Sequence, residues 1–157
     1  MKPSLLQLKT YFLTELTVKA IHVDPAAAAP PDPGTISLST KVHHAQNKTN
    51  PRDWRVGIRI SCQPGGKGHC PYLVDMELLG FFEVAQTVKE EMIRPLIMAN
   101  APALLYGAAR EMILLVTGRA PYGPLLLPTA TFVDEVGSRN PDAVADKISE
   151  THAPAET

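Results

Sequence analysis

Between residues 6 and 18 apolar and polar side chains trade places at nearly every second position. Leu6, Leu8, Phe12, Leu16 and Val18 fall on one side, and Gln7, Lys9, Tyr11, Glu15, Thr17 and Lys19 on the other. A period of two is that of a strand with one dry face. The pattern returns three times. Ile36, Leu38, Thr40 and Val42 alternate with Ser37, Ser39, Lys41 and His43. Trp54, Val56, Ile58, Ile60 and Cys62 alternate with Arg55, Gly57, Arg59, Ser61 and Gln63. Tyr72, Val74, Met76, Leu78, Phe82 and Val84 alternate with Leu73, Asp75, Glu77, Leu79, Phe81 and Glu83. A proline-rich stretch, AAAAPPDPG at 26–34, connects the first two strands, and PGGKG at 64–68 is a turn signal between the last two. Antiparallel pairing of strands three and four sets Arg55 and Arg59 on the same wet face as Asp75 and Glu77.

After residue 85 the period changes. A first helical piece is predicted over 86–98, with Val88, Met92 and Ile93 on one side and Pro95 limiting its regularity. A second helix is predicted over 100–118, opened by Asn100 with Pro102 just inside and closed by Gly118 with Pro121 beyond. Leu104, Leu105, Met112, Ile113, Leu114, Leu115 and Val116 surround its axis, and only Arg110, Glu111 and Thr117 are clearly polar. A helix apolar on every side has to be covered on more than one side. One sheet covers one of them, so the other is expected to meet a second copy of the chain, with Gly107, Ala108 and Ala109 allowing close approach. The run is charged in its middle and falls short of the ~20 residues that cross a bilayer, so no direct membrane insertion is expected.

Residues 119–128, RAPYGPLLLP, form a loop or small hairpin. A helix started at 132–136 is broken by GSRNPD, and a last short helix is predicted within 142–150. Strands followed by helices give the α+β class: a four-stranded antiparallel sheet, a long apolar helix and a short C-terminal helix. Residues 1–136 are assigned to one domain and 137–157 to a polar tail.

At 157 residues the chain is one domain by size. Its 15 Lys and Arg are scattered and balanced by 16 acids, which disfavours nucleic acid as a partner. The opening MKPSLLQLKTYF passes straight into the alternating pattern without a leader-like apolar core, and a cytoplasmic location is expected. Cys62 and Cys70 flank PGGKGH. They could approach to disulfide range, although reduced thiols are the default in a cytosol. With His69 they suggest a metal, but no second spaced pair completes a four-ligand set. No metal, cofactor or catalytic residue is assigned. There is no nucleophile elbow or phosphate loop, and the chain is not expected to be an enzyme.

These elements arrive in an order that resembles the SecB-type protein-export chaperones. The first strand QLKTYFLTELTVKA at 7–20, GFFEV at 80–84, NAPALLYGAARE at 100–111 and LLLPTATF at 125–132 carry the resemblance, which spans roughly residues 5 to 136. It implies a homotetramer, a dimer of dimers with apolar helices sandwiched between two eight-stranded layers. It implies an ATP-independent holdase that binds unfolded polypeptides in apolar grooves and passes secretory precursors to SecA. Tyr72, Phe81, Phe82, Leu125, Leu126 and Leu127 are assigned to the client groove. The oligomer interface is assigned to Leu104, Gly107, Ala108, Arg110, Glu111, Met112 and Leu115, with Arg110 and Glu111 as a matched pair. Glu15 and Asp75 match acidic positions by which the family contacts SecA, while Lys19 stands at a third. SecB-like chaperones dedicated to the antitoxin of a toxin-antitoxin pair are the alternative, favoured by Lys19, the near-neutral charge and the interrupted C-terminal helix.

Overall fold

The computed structural model describes residues 2–21, 37–63 and 70–132. Four strands, β1 (Leu6–Ala20), β2 (Ser37–Gln46), β3 (Asp53–Gln63) and β4 (Tyr72–Val84), precede one helix, α1 (Glu90–Thr117). They form a single antiparallel sheet in the order β1-β4-β3-β2, so the first and last strands in sequence lie side by side. The expected tail at 137–157, with its short helix, lies outside the described residues.

Alternation fixes the two faces of β3 and β4. Val56, Ile58, Ile60 and Cys62 lie on the inner face with Tyr72, Val74, Met76, Leu78 and Phe82, all buried. β1 departs from simple alternation. Its register against β4 shifts between Leu8 and Thr10 and again between Leu13 and Glu15, and each bulge exchanges the faces of the residues beyond it. Between the bulges Tyr11 and Leu13 sit opposite Gly80 and Leu78 on the inner face, while Phe12 sits opposite Leu79 on the outer one. The period-two pattern put Phe12 on the dry face and Tyr11 on the wet face. Lys9, unpaired in the register, reverses both, the likewise unpaired Thr14 restores the pattern at Leu16 and Val18, and Thr14 donates its hydroxyl to the Glu77 carbonyl at 3.1 Å.

The two predicted helical pieces are one continuous helix of 28 residues that runs through Pro95 and Pro102. Asn100 is no cap. It lies in mid-helix and its side-chain amide donates to the Leu96 carbonyl at 2.8 Å. A helical proline removes a backbone bond, and tertiary packing outweighs that loss here. Ile93, Ile97, Ala101, Leu105, Ala109, Ile113 and Thr117 recur every fourth residue and are all buried. A four-residue spacing drifts about 40° per step around a 3.6-residue helix, so the stripe winds about the axis.

At Gly80 the side chain of Leu105 on α1 packs directly onto the β4 backbone. A Cβ there would lie 2.8 Å from Leu105 Cδ2 and 2.8 Å from Phe82 Cε2. Gly80→Ala is therefore expected to destabilise the fold by about 1–3 kcal/mol through overpacking. Urea unfolding followed through buried Trp54 measures this, and an unchanged midpoint would show that helix and strand have slack.

Candidate functional site

Three layers of contact place the surfaces on which function depends. The first is the segment after α1. Thr117, buried at the helix end, accepts the Leu125 amide on Oγ1 at 2.8 Å while donating to the Ile113 carbonyl at 2.6 Å. Arg110 Nε donates to the Leu127 carbonyl at 2.9 Å, and Tyr106 donates its hydroxyl to the Pro128 carbonyl at 2.8 Å. Phe132 stacks edge-on against Tyr106 with centroids 5.8 Å apart. Residues 125–132 thus run back along α1, antiparallel to it. Leu125 and Leu127 turn inward and Leu126 outward. Tyr72 clamps the preceding turn, donating to the Gly123 carbonyl at 2.7 Å and accepting the Tyr122 amide at 3.1 Å. Burial raises the pKa of both Tyr72 and Tyr106, which keeps these hydroxyls protonated as donors.

The second layer is apolar surface that the subunit leaves open. Leu115 is 72% exposed and Leu104 46%, on a helix whose other side is fully packed. Gly107 faces open space, with nothing within 4 Å of a Cβ built on it. Ala108 and Met112 are half-buried, and Glu111 points to solvent. Within one chain Arg110 donates to the Leu127 carbonyl and forms no ion pair with Glu111, since adjacent helix positions point about 100° apart. Tyr11 and Leu13 are exposed on the inner face along the β1 edge. Where the start of β1 meets the start of α1, Leu5, Val88, Met92, Pro95 and Leu96 line a cavity of about 390 Å³.

Of the six residues assigned to a client groove, Tyr72, Phe82, Leu125 and Leu127 are buried, whereas Phe81 and Leu126 are exposed. Phe81 and Phe82 border a cleft of about 550 Å³ at one end of the sheet, rimmed by Lys9, Asp53, Arg55 and Glu83. Phe81 meets Phe12 edge-on across the outer face, centroids 6.1 Å apart. The sequence pattern missed this contact because the first bulge, which turns Phe12 outward, leaves no mark in composition.

The third layer is electrostatic. Register sets Glu15, Glu77, Arg59 and Lys41 in one row across the four outer-face strands, with Asp75 and Ser61 in the next. Arg59 grips Asp75 with two bonds, Nε to Oδ1 at 2.9 Å and Nη2 to Oδ2 at 2.6 Å. Its Nη1 lies 3.0 Å from Glu15 Oε2 and 3.3 Å from Glu77 Oε2. The hydrogen bond from Arg59 holds the Asp75 carboxyl below the usual carboxylate range, and the same pairing raises the guanidinium further. Both carboxylates matched to SecA contacts, Glu15 and Asp75, therefore already have a cationic partner within the subunit. His43 lies flat over Gly57, whose missing Cβ makes the room, with Nε2 3.8 Å from Glu77 Oε1.

Among the described residues no group of three His, Cys, Asp or Glu could hold a metal ion, and His69 lies outside them. No helix among the described residues is long and apolar enough to cross a membrane.

A four-stranded antiparallel sheet with one long helix across its inner face, and an extended segment returning along that helix, defines an α+β protein of SecB-like fold. The fold is shared with a SecB-like chaperone of Mycobacterium tuberculosis solved with a ChAD peptide from the HigA1 antitoxin. That structure aligns with 80% of this chain and 90% of its own at a TM-score of 0.58 and 17% identity. The model of the SecB family, preprotein translocase subunit SecB, matches residues 2–134, and the chain belongs to that family. The protein-export protein SecB of Rhodospirillum centenum is 30% identical over 63 residues, 40% of this chain and 38% of the relative. That of Rhodopseudomonas palustris is 25% identical over 109 residues, 69% of this chain and 66% of the relative. The matched stretches thus span about two thirds or less of these relatives.

Proposed function

We propose that the protein is an ATP-independent chaperone that assembles as a homotetramer in the cytoplasm and holds unfolded polypeptides by apolar contact, with no chemical step. The observation that carries this reading is the exposed apolar surface on an otherwise well-packed subunit: Leu104, Leu115 and Val116 on α1, Tyr11 and Leu13 on the inner face, Leu126 beyond the helix. So many large apolar side chains left in the open on a well-packed chain are the mark of interaction surfaces. Assembly takes up part of it. The α1 face of Leu104, Gly107, Ala108, Met112 and Leu115 packs against sister helices. The β1 edge, with Tyr11, Phe12 and Leu13 exposed, suits the joining of two sheets into an eight-stranded layer better than β2, whose edge carries Lys41, His43 and His44. Clients take up the remainder. Apolar contact scales with area and carries no sequence code, so chains of many sequences fit. Phe81 and Leu126 offer direct contact, and Tyr72, Phe82, Leu125 and Leu127 serve as the floor beneath them.

Two client classes suit such a surface. One is secretory precursors kept export-competent for SecA. The other, favoured by Arg59 binding Glu15, Asp75 and Glu77, is a dedicated client such as an antitoxin, for which no acidic docking face is required. Purified protein without nucleotide is expected to slow aggregation of a chemically unfolded client at a few-fold molar excess, measured by light scattering. Leu126→Asp is expected to weaken this severalfold with an unchanged thermal midpoint. No suppression by the intact assembly would sink the holdase reading. Affinity capture from the native host then separates the classes, as many precursors or one small protein.

A further inference from the structure

We propose that Cys62 and Cys70 form a reversible dithiol–disulfide site, oxidised by a small hydroperoxide, that staples the loop end of the β3–β4 hairpin. Register builds the pair. Cys62 sits opposite Val74 near the end of β3, and Cys70 precedes the start of β4 by two residues, so both side chains share the inward parity of Tyr72 and Val74. Both are free and buried, and their Sγ atoms stand 3.3 Å apart. A disulfide needs about 2.05 Å, so each sulfur has to move only about 0.6 Å, which lies within ordinary thermal displacement. This closeness separates the pair from a structural cysteine that merely fills the core.

The two thiols are not equivalent. Cys70 Sγ donates to the Tyr72 carbonyl at 3.1 Å, while the hydrogen bond between the two sulfurs lowers the Cys70 pKa to about 7 and, together with burial, pushes Cys62 up. Cys70 is also the one outside the regular sheet, two residues before β4. It is therefore the attacking sulfur and Cys62 the resolving one. In the first step the Cys70 thiolate attacks one oxygen of a hydroperoxide. The O–O bond breaks, Cys70 becomes a sulfenic acid, and the other oxygen leaves as hydroxide and takes a proton. In the second step the Cys62 sulfur attacks the Cys70 sulfur. The S–S bond forms, the S–O bond breaks, and the hydroxyl leaves as water with the Cys62 proton. Two thiols lose two electrons, and for hydrogen peroxide the products are one disulfide and two waters. A small oxidant suits the site, since a bulky disulfide cannot reach a buried sulfur in line. The bond would tether the strand end that carries Tyr72, and with it the clamp on the turn at Tyr122 and Gly123.

The test uses the full-length protein in its native assembly. After hydrogen peroxide treatment, denaturation and alkylation, labelled thiols are expected to fall from two per chain to none. Intact mass should fall by two hydrogens, with full reversal by dithiothreitol. The thermal midpoint of the oxidised form is expected to rise by several degrees, because the closed loop restricts the unfolded chain. Cys62→Ser is expected to leave a Cys70 sulfenic acid that dimedone traps at least tenfold faster than it traps Cys62 in Cys70→Ser. The wild-type rate should climb with pH through about 7 and then level off. Thiols that stay alkylatable, mass gains of whole oxygens without loss of the pair, or a bond joining two chains would each overturn the proposal. None of these outcomes bears on holdase activity, which is measured separately under reducing conditions.

Discussion

Replacing Leu115 by lysine is expected to drop the native mass from that of a tetramer to that of a dimer or less at micromolar concentration, with the subunit's own stability unchanged. Leu115 is 72% exposed in the subunit, so its removal deletes little internal packing. A leucine fully buried between helices contributes about 1.5–3 kcal/mol, and burying a lysine there adds a desolvation penalty. Symmetry repeats that loss in every subunit, which is enough to move assembly by several powers of ten. Gly107→Leu is the companion variant. A Cβ at 107 meets nothing within 4 Å in the chain, so a leucine there extends from open space and a loss of assembly with the fold intact points to a neighbour. Mass photometry or sedimentation reads assembly, and circular dichroism reads the subunit fold. A Leu115→Lys protein that keeps its native mass would remove the α1 face from the interface. The apolar helix face would then be left as client surface alone.

The strands were legible because a half-buried sheet writes period two into the chain. β3 and β4 follow it residue by residue, and the polar-face pairing expected of Arg59 with Asp75 and Glu77 is present. β1 was legible in extent and in the facing of Leu6, Leu8, Leu16 and Val18 but not of Tyr11 and Phe12, since a bulge adds a residue without changing residue type and reverses the residues up to the next bulge. The break placed at Asn100 had a similar origin. Asn and Pro mark helix starts in isolation, yet the buried stripe from Ile93 to Thr117 holds the helix across them. The groove residues show a different limit. Tyr72, Phe82, Leu125 and Leu127 read as large and apolar, and composition alone does not distinguish a floor from a wall. What decides it is the clamp of Tyr106, Arg110 and Thr117 on residues 125–128, made of side chain to backbone bonds that leave no periodic trace.

Arg59→Gln is expected to convert the outer face of the sheet into a docking surface for a basic partner. With the guanidinium gone, Glu15, Asp75 and Glu77 lose their common counter-ion. Three carboxylates then remain within one cluster, and the subunit becomes one unit more negative. Titration of a fluorescent oligolysine peptide should show binding at least tenfold tighter than for the wild type at low ionic strength. Most of that gain should vanish by about 0.5 M salt, where exposed charges are screened within a few ångströms. SecA, if it docks through a basic segment, should follow the same order. The acid limb of stability should change as well. Asp75 is held below its usual pKa of about 4 by Arg59, so the stabilisation is present above that pH and is lost as acidification passes through the lowered folded value. In the variant the folded-state pKa returns toward or above the unfolded one, and the slope of stability against pH between about 5 and 3 should flatten. Equal peptide affinity in wild type and variant would mean that Arg59 does not gate the carboxylates, and SecA hand-off would regain its standing as the first reading. Tighter binding together with a flattened slope would identify a single arginine, placed opposite Glu77 by strand register, as what neutralises the acidic face of this sheet.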